Sequence, residues 1–423
     1  MGLWGRFRHN HFVQSVTVLG AGTILAQVVM VAAAPVLTRL YTPADFGLAA
    51  LFVAMVSSIT PALCGKYEVA VVVAKSIQQS RQLLGIALLV ALGVSTLMFA
   101  GMWFYGNAVV NLFGFGGLEG WIILVPFALF STGVLTSLNY YSNRVHEYAV
   151  ISQSKVLVSV FGVVVSVIFG LFSLHYGLLL SSVLATGLAS LWLLYRYRKV
   201  LYVSLFQRAR HKRILVRRYR SFPIYNATTG LLDGLTQAMP IFFLSRYFPE
   251  AVVGYYALML RVAMAPISFI SGAVSQVNLK KVADLVNQGV PVRPYLLRLT
   301  MVLTLIVLPF TLLLVFYAPP LFAWIFGEQW RLAGVYLQVL MPALALRFVV
   351  STISTTFGAT GNNRLGAIWK VTAFIVSLGV FIVVAPRVDV MGMFTVILIM
   401  DLVLYGFYFL LAWRAAGHPL SYR

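Results

Sequence analysis

Twelve apolar segments, each about 20 residues long, run through almost the whole chain and constrain its fold more than any other sequence feature. A helix needs about 20 mostly apolar residues to cross the hydrocarbon core of a membrane. Only 10% of the 423 residues are charged, whereas a soluble protein carries about 25%. The sequence therefore excludes a soluble enzyme and predicts an all-α, polytopic membrane protein. The predicted transmembrane spans are 16–37, 46–65, 82–104, 121–142, 156–174, 177–195, 223–245, 254–277, 295–317, 334–357, 365–385 and 390–413.

The basic residues are distributed unevenly between the two sides of these spans. The chain has a formal net charge of +21, which in a soluble protein would suggest nucleic-acid binding. With twelve spans, however, 25 of the 31 Lys and Arg residues, beginning with Arg6 and Arg8, fall on the side of the termini. Only four fall on the opposite side. Because cytoplasmic loops are enriched in Lys and Arg, this distribution predicts cytoplasmic termini and explains the charge without nucleic acid.

The two halves of the sequence repeat one pattern. Leu37-Thr38-Arg39 and Leu244-Ser245-Arg246 end corresponding spans at an offset of 207 residues. We therefore predict an N-terminal six-helix lobe (1–195), a basic cytoplasmic linker (196–222) and a C-terminal six-helix lobe (223–423). Six spans per repeat give both halves the same orientation, which predicts parallel repeats, a cavity between them and alternating access. A static scaffold that retains an ancestral duplication is the alternative.

Four charged residues stand out deep inside predicted spans, where each costs about 2.5–3.5 kcal/mol on insertion scales. All four belong to the C-terminal half: Asp233, Arg261, Arg347 and Asp401. At the repeat offset, Asp233 corresponds to Ala26 and Arg261 to Ala54, so the duplication did not create these charges. This asymmetry favours a function. The structural alternative is that Asp233–Arg261 and Asp401–Arg347 are ion pairs that hold helices together.

Further polar residues extend the predicted site. Asn226, Asp233 and Gln237 have the spacing of one helix face, which predicts that they line a cavity. A second group lies near the predicted cytoplasmic mouth, where cations could attract an anionic headgroup or simply anchor the helices: Lys66, Glu68, Arg144 and Lys370.

Enzymatic motifs are missing from the sequence. It contains no HExxH, GxSxG or Walker A motif, its six histidines are scattered, and Cys64 is its single cysteine. These features predict a protein that is not an enzyme and has no metal or cofactor. Transport would then draw on an ion gradient, the membrane potential or substrate flux, and a buried Asp233 or Asp401 could carry a coupling proton.

Several segments resemble a known family. Lys66-Tyr67-Glu68-Val69-Ala70 is similar to the (R/K)YE(L/V)A segment of polysaccharide-biosynthesis membrane proteins. The loop Thr38–Gly47 and the segments Ala318–Phe322 and Phe326–Gly334 also resemble theirs, the last most specifically. The chain thus resembles the Wzx-type oligosaccharide flippases of the multidrug/oligosaccharidyl-lipid/polysaccharide exporter superfamily.

The resemblance implies a V-shaped, two-lobed protein of the bacterial inner membrane. The implied activity is translocation of a polyprenyl-diphosphate-linked oligosaccharide for O-antigen of lipopolysaccharide, capsule or exopolysaccharide. Arg261, Arg347 and Lys66 are the positions we match to the cationic cavity of the family. Lipid-linked oligosaccharide, membrane lipids, a polysaccharide polymerase and a chain-length regulator are the implied partners. Twelve spans, rather than the fourteen usual in lipid II flippases, argue against a peptidoglycan precursor as cargo.

Two other functions compete with this interpretation. A cation-coupled multidrug exporter of the same superfamily would need an acidic cavity, whereas the four charges deep inside predicted spans are two acids and two bases. A non-transporting scaffold of a polysaccharide synthase would need no charged cavity.

Overall fold

The computed structural model describes residues 11–114, 116–206 and 209–417. These residues form helices joined by short turns and contain no β-strand. Arg6 and Arg8, at the predicted cytoplasmic N-terminus, lie outside the described ranges. The α-helices are α1 His11–Leu40, α2 Pro43–Ile59, α3 Tyr67–Val73, α4 Ile77–Phe113, α5 Leu124–Arg144, α6 Tyr148–Leu171, α7 Gly177–Arg196, α8 Arg198–Phe206, α9 Ala209–Arg218, α10 Thr228–Tyr247, α11 Glu250–Asn287, α12 Val292–Phe326, α13 Arg331–Thr352, α14 Thr356–Ala359, α15 Asn363–Val384 and α16 Val390–Gly417.

Every predicted span coincides with helix. Among the described residues, eight helices are long and apolar enough to cross a membrane, and α2 is apolar but shorter. The second span ends earlier than predicted, because α2 stops at Ile59 and turns lead into α3. The seventh begins with a π-helical turn, Phe222–Ala227, and the tenth is divided between α13 and α14. The chain is thus an all-α, twelve-span membrane protein.

The helix boundaries repeat at the offset found in the sequence. Helix α1 ends at Leu40 and α10 at Tyr247, whereas α2 begins at Pro43 and α11 at Glu250. Both pairs differ by 207 residues, as do the first residues of α5 and α13. The packing repeats as well, since α4 packs on α5 as α12 packs on α13, and α5 packs on α7 as α13 packs on α16.

Local chemistry fixes the first of these junctions. The Thr42 side chain accepts a hydrogen bond from the backbone N–H of Asp45, and the Asp45 carboxylate accepts one from the backbone N–H of Thr42 at 2.8 Å. This capping box satisfies N–H groups that the first turn of a helix leaves unpaired. Pro43 at the first helical position costs nothing there, because that N–H has no partner within the helix.

The chain divides into two compact units, with the division after Ala238. It falls inside α10 because the first half of that helix packs on the first unit. A Cβ added to Gly234 would lie 2.4 Å from the backbone oxygen of Ser58. The predicted lobes 1–195 and 223–423 and linker 196–222 concern membrane topology and stay a prediction.

In the second unit, the helices bury apolar side chains in a core on one side and expose other apolar side chains elsewhere. Leu296, Phe348 and Ile353 are almost fully buried in one apolar cluster. Along α12, by contrast, Phe310 and Trp324 are 62% and 80% exposed. Large exposed apolar side chains are unfavourable in water but match lipid. The exposed apolar side of α12 is therefore a lipid-facing surface.

Candidate substrate and coupling site

In the first unit, Lys66 and Glu68 lie together at the turn that joins α2 to α3. Lys66 adopts a left-handed backbone conformation, with φ of 58°, immediately before α3 begins at Tyr67. This conformation is uncommon outside glycine and reverses the chain direction. The Lys66 Nζ atom lies 3.8 Å from Glu68 Oε1, and the Glu68 side chain is only 3% exposed. The turn therefore holds a cation over a buried carboxylate.

The Glu68 carboxylate is incompletely satisfied. Its Oε2 atom is buried and accepts no hydrogen bond from a described residue. Burial raises the pKa of the Glu68 carboxyl, and the nearby Lys66 ammonium partly opposes that rise. Glu68 also interacts electrostatically with Tyr140 of α5. A carboxyl with a raised pKa and a free oxygen can take up a proton or receive a further donor.

Helix α10 approaches this turn through two glycines. A Cβ added to Gly230 would lie 3.3 Å from Cε of Lys66, and one added to Gly234 would lie 2.4 Å from the backbone oxygen of Ser58 in α2. Gly230 and Gly234 are four residues apart, the small-residue spacing that lets membrane helices approach closely. The predicted site residue Asp233 lies beside Gly234 and is half-buried. The close packing thus brings the Asp233 turn of α10 into the same unit as Lys66.

The other predicted residues of the seventh span are more exposed. Asn226 lies in the π-helical turn before α10, and Gln237 lies on α10; both are exposed. The predicted face assumed a regular helix from 226 to 237. Regular α-helix begins only at Thr228. Asp233 and Gln237 therefore share one α-helical face, whereas the position of Asn226 relative to that face does not follow from α-helical spacing. The cavity-lining role of all three residues stays a prediction.

In the second unit, Arg347 and Asp401 interact with each other. The Asp401 carboxylate on α16 interacts electrostatically with the Arg347 guanidinium on α13. Arg347 also lies over the ring of Tyr405, with its guanidinium carbon 5.7 Å from the ring centroid. Buried Tyr256 of α11 interacts with the same three residues. Three helices thus contribute to one charged and aromatic cluster, which we call the Arg347 cluster.

Arg261 of α11 has a different environment. The side chain is half-buried, and no described carboxylate of the second unit lies within 4 Å of it. A guanidinium without a carboxylate partner in its own unit has donors available for a further carboxylate or a phosphate. Asp233, its suggested partner, belongs to the first unit, so the Asp233–Arg261 ion pair stays a prediction.

The two remaining residues of the predicted cytoplasmic mouth occupy different settings. The Arg144 guanidinium donates a hydrogen bond of 2.8 Å to the backbone oxygen of Ala74, the residue that follows the last residue of α3. This contact stabilises the carbonyl end of a short helix. Lys370 is half-buried on α15, next to Trp369, whose ring packs edge-on against Tyr408 at 4.5 Å.

Sequence reasoning missed the tyrosines of the second unit. Tyr405 follows Asp401 by four residues and so lies on the same helix face, a spacing readable from the sequence. Tyr256 precedes Arg261 on α11, but nothing in the sequence indicates that it meets Arg347. These rings matter because aromatic faces attract cations and also stack on sugar rings.

Comparisons with known proteins agree with this architecture. Residues 36–334 match the family model described as "Polysaccharide biosynthesis protein". No curated protein matches the sequence.

Three solved structures resemble the chain in fold. The lipid II flippase MurJ in an inward closed conformation has a TM-score of 0.68 at 15% identity, over 94% of this chain and 86% of MurJ. The MATE multidrug transporter DinF-BH in complex with R6G has a TM-score of 0.68 at 14% identity, over 96% of each chain. A MOP superfamily transporter from Pyrococcus furiosus, described as having a binding pocket of reversed polarity, has a TM-score of 0.63 at 15% identity, over 96% of this chain and 97% of that one.

At such identities these structures establish the fold, which is that of the MOP superfamily of transporters. The family model covers well over half of the sequence. The chain therefore belongs to the polysaccharide biosynthesis protein family, and it has the MOP transporter fold.

Proposed function

We propose that this protein is a flippase for a polyprenyl-diphosphate-linked oligosaccharide, working by alternating access in the bacterial inner membrane. The observation that carries the proposal is membership of the polysaccharide biosynthesis protein family in a chain with the fold of transporters, among them a lipid II flippase. The cargo would be a repeat unit of O-antigen, capsule or exopolysaccharide on undecaprenyl diphosphate. The termini would be cytoplasmic, and the chain would transport rather than catalyse.

The charges of the two units suit the proposed cargo. A diphosphate needs cationic donors, and Arg261 has no carboxylate partner within its unit. Arginine matches phosphate with two parallel hydrogen bonds. Arg261, Arg347 and Lys66 would bind the diphosphate or glycan, with Asn226 and Gln237 contributing polar contacts. Tyr405 beside Arg347 would offer a ring face to a sugar.

The acidic residues would adjust this charge during transport. Asp401 lies beside Arg347, so its protonation would leave the Arg347 charge uncompensated and strengthen anion binding. Asp233 lies on the helix that packs against the Lys66 turn. Protonation and release at either residue would couple transport to an ion gradient. We expect Asp233→Asn to alter the pH dependence of transport in vesicles; an unchanged profile would remove Asp233 from coupling.

The decisive experiment locates the lipid-linked intermediate. Deleting the gene should make lipid-linked oligosaccharide accumulate on the cytoplasmic leaflet, because synthesis would continue without translocation. Restoring the wild-type gene should return surface polysaccharide to normal. Deletion without accumulation, together with normal surface polysaccharide, would overturn the proposal.

The alternative is a cation-coupled multidrug exporter, which the shared fold with DinF-BH favours. Drug susceptibility distinguishes the two, because loss of an exporter raises drug sensitivity without any lipid intermediate. A synthase scaffold would instead tolerate substitutions of Arg261 and Arg347. A polymerase and a chain-length regulator are proposed partners, to be tested by co-purification from detergent extracts.

A further inference from the structure

The first unit contains a second basic site, apart from the residues assigned to transport above. It is a cavity of about 770 Å³ where α4, α5, α7 and α8 meet. Four basic residues line it, Arg81, Arg196, Arg198 and Lys199, with Glu147 as the single carboxylate. We call it the Arg81 pocket. Its charged side chains carry a net charge of +3.

The one carboxylate of the Arg81 pocket is already occupied. Glu147 Oε2 accepts a hydrogen bond of 3.0 Å from the Tyr197 hydroxyl and one of 3.4 Å from Arg196. No described carboxylate lies within ion-pair distance of the three other basic side chains, those of Arg81, Arg198 and Lys199. These three cations remain available to an anion.

Aromatic side chains hold the walls of the Arg81 pocket in place. The Arg198 guanidinium lies over the Tyr195 ring at 4.3 Å, and Arg81 Nε donates a hydrogen bond of 3.4 Å to the Tyr141 hydroxyl. Tyr141 in turn packs edge-on against Tyr197, with ring centroids 5.5 Å apart. Because Arg81 and Arg198 are already oriented, these two side chains lose less conformational entropy when a ligand binds. Trp192 completes the aromatic lining.

The Arg81 pocket lies where membrane-spanning helices end. Helix α7 is apolar along its length and ends at Arg196, and α8 begins at Arg198 with no intervening loop. Tyr195, which lines the pocket, exposes 69% of its surface, as does Tyr202 further along α8. Exposed tyrosines with nearby cations are typical of the headgroup region on the positive side of a membrane protein.

We propose that the Arg81 pocket binds the phosphate group of an anionic lipid headgroup in the leaflet on the basic side of the protein. Arginine forks recognise phosphate oxygens in pairs, and the aromatic rim faces the region where headgroup and acyl chain join. The ligand class is a phosphate carrying one net negative charge or more. A free phosphate shares this chemistry, so the test separates the two sources.

Lipid binding to purified, delipidated protein tests the proposal. Native mass spectrometry measures the binding of phosphatidylglycerol, with phosphatidylcholine as the zwitterionic comparison and inorganic pyrophosphate as the soluble probe. We expect phosphatidylglycerol to bind preferentially and Arg81→Gln/Arg198→Gln/Lys199→Gln to weaken its binding about tenfold or more. The matched control is Arg213→Gln/Arg217→Gln/Arg218→Gln, which removes three exposed charges from the same linker region and should change binding by less than about twofold.

Several results would overturn the proposal. Equal loss in the pocket and control variants would mean diffuse attraction rather than a site. Pyrophosphate binding without any preference for phosphatidylglycerol would mean a soluble anion site. If the triple variant fails to fold, Lys199→Gln with Tyr195→Ala replaces it, because both side chains are exposed; unchanged lipid preference in that variant would equally refute the site. Transport is not measured, so the outcome is independent of the proposed function.

Discussion

Each unit places a carboxylate, buried in the first and half-buried in the second, beside the same helix position, but a different residue occupies that position. Tyr140 on α5 and Arg347 on α13 are equivalent at the offset of 207, because these helices begin 207 residues apart. In the first unit, Tyr140 interacts electrostatically with Glu68. In the second unit, Arg347 interacts with Asp401. At this position the first copy of the repeat offers its carboxylate a neutral phenol and the second a full positive charge, whereas the cation nearest to Glu68 is Lys66, 3.8 Å away in the turn before α3.

This difference shows what the duplication preserved and what it did not. Helix boundaries and packing partners are common to both units. The charges inside the long helices α11, α13 and α16, namely Arg261, Arg347 and Asp401, occur only in the second unit. Each costs free energy on insertion into a membrane, so their presence in one copy is best explained by a use. We therefore expect substitutions of these three residues to affect transport, whereas first-unit substitutions away from Lys66 and the Asn226–Gln237 segment should affect mainly stability.

The largest expected effect is that of Arg261→Ala. Removing the Arg261 guanidinium from α11 takes away the proposed diphosphate donor without stranding a described carboxylate of the second unit. We expect surface polysaccharide at normal expression to fall to the level of the deletion strain, measured by glycan staining of cell extracts. Arg261→Lys, which keeps the charge but not the fork, should restore part of it.

Lys281→Ala is the matched control for this prediction, because Lys281 is an exposed cation on the same helix. Surface polysaccharide in that variant should equal the wild-type level. If the Arg261→Ala variant, at equal protein abundance, made surface polysaccharide at the wild-type level, the charges of the second unit would not be needed for transport as proposed.

The next effect is the coupling between Arg347 and Asp401. Arg347→Met leaves the Asp401 carboxylate without its cation, which costs up to about 3–5 kcal/mol in fully buried pairs and less here, because both side chains are half-buried. Adding Asp401→Asn removes the stranded charge, so the double variant should recover part of the lost stability. Thermal unfolding in detergent should yield a coupling free energy of about 0.5–3 kcal/mol. Strictly additive effects would show that the two groups do not interact.

Much of the fold was readable from the sequence, because lipid requires long apolar helices and the offset of 207 appears in residue identities. The junction at Thr42 and Pro43 carries its own capping signal. The Arg347 cluster was predicted only in part: the Arg347–Asp401 proximity was one of two suggested pairings, but Tyr256 joins it through tertiary packing that no local spacing encodes. The same holds for Tyr140 beside Glu68, since the two residues lie on different helices.

A stability effect confined to the first unit is expected from Gly234→Ala. The added Cβ would meet the backbone oxygen of Ser58 at 2.4 Å, and a backbone atom cannot move aside cheaply. Overpacking of this kind costs about 1–3 kcal/mol. In the second unit, Gly379 of α15 has open space around it, so Gly379→Ala should be neutral or stabilise by up to about 1 kcal/mol. Thermal unfolding in detergent compares the two; equal effects would mean that α10 does not pack closely on α2.

The smallest expected effect concerns the pH dependence contributed by Glu68. Burial raises the pKa of its carboxyl above the ordinary value of 4.5. Stability from this group is therefore fully present below the unfolded pKa and lost as pH rises through the higher folded value. Glu68→Gln removes that loss, so the variant should unfold at a higher temperature than wild type at pH 8 and at the same temperature near pH 4.5.

The control is Asp284→Asn, which replaces an exposed carboxylate and should leave the wild-type pH dependence intact. If Glu68→Gln also left the pH dependence of stability unchanged, the Lys66 ammonium would fully compensate the buried Glu68 charge. Glu68 would then resemble Asp401 of the second unit, whose charge has a cation beside it.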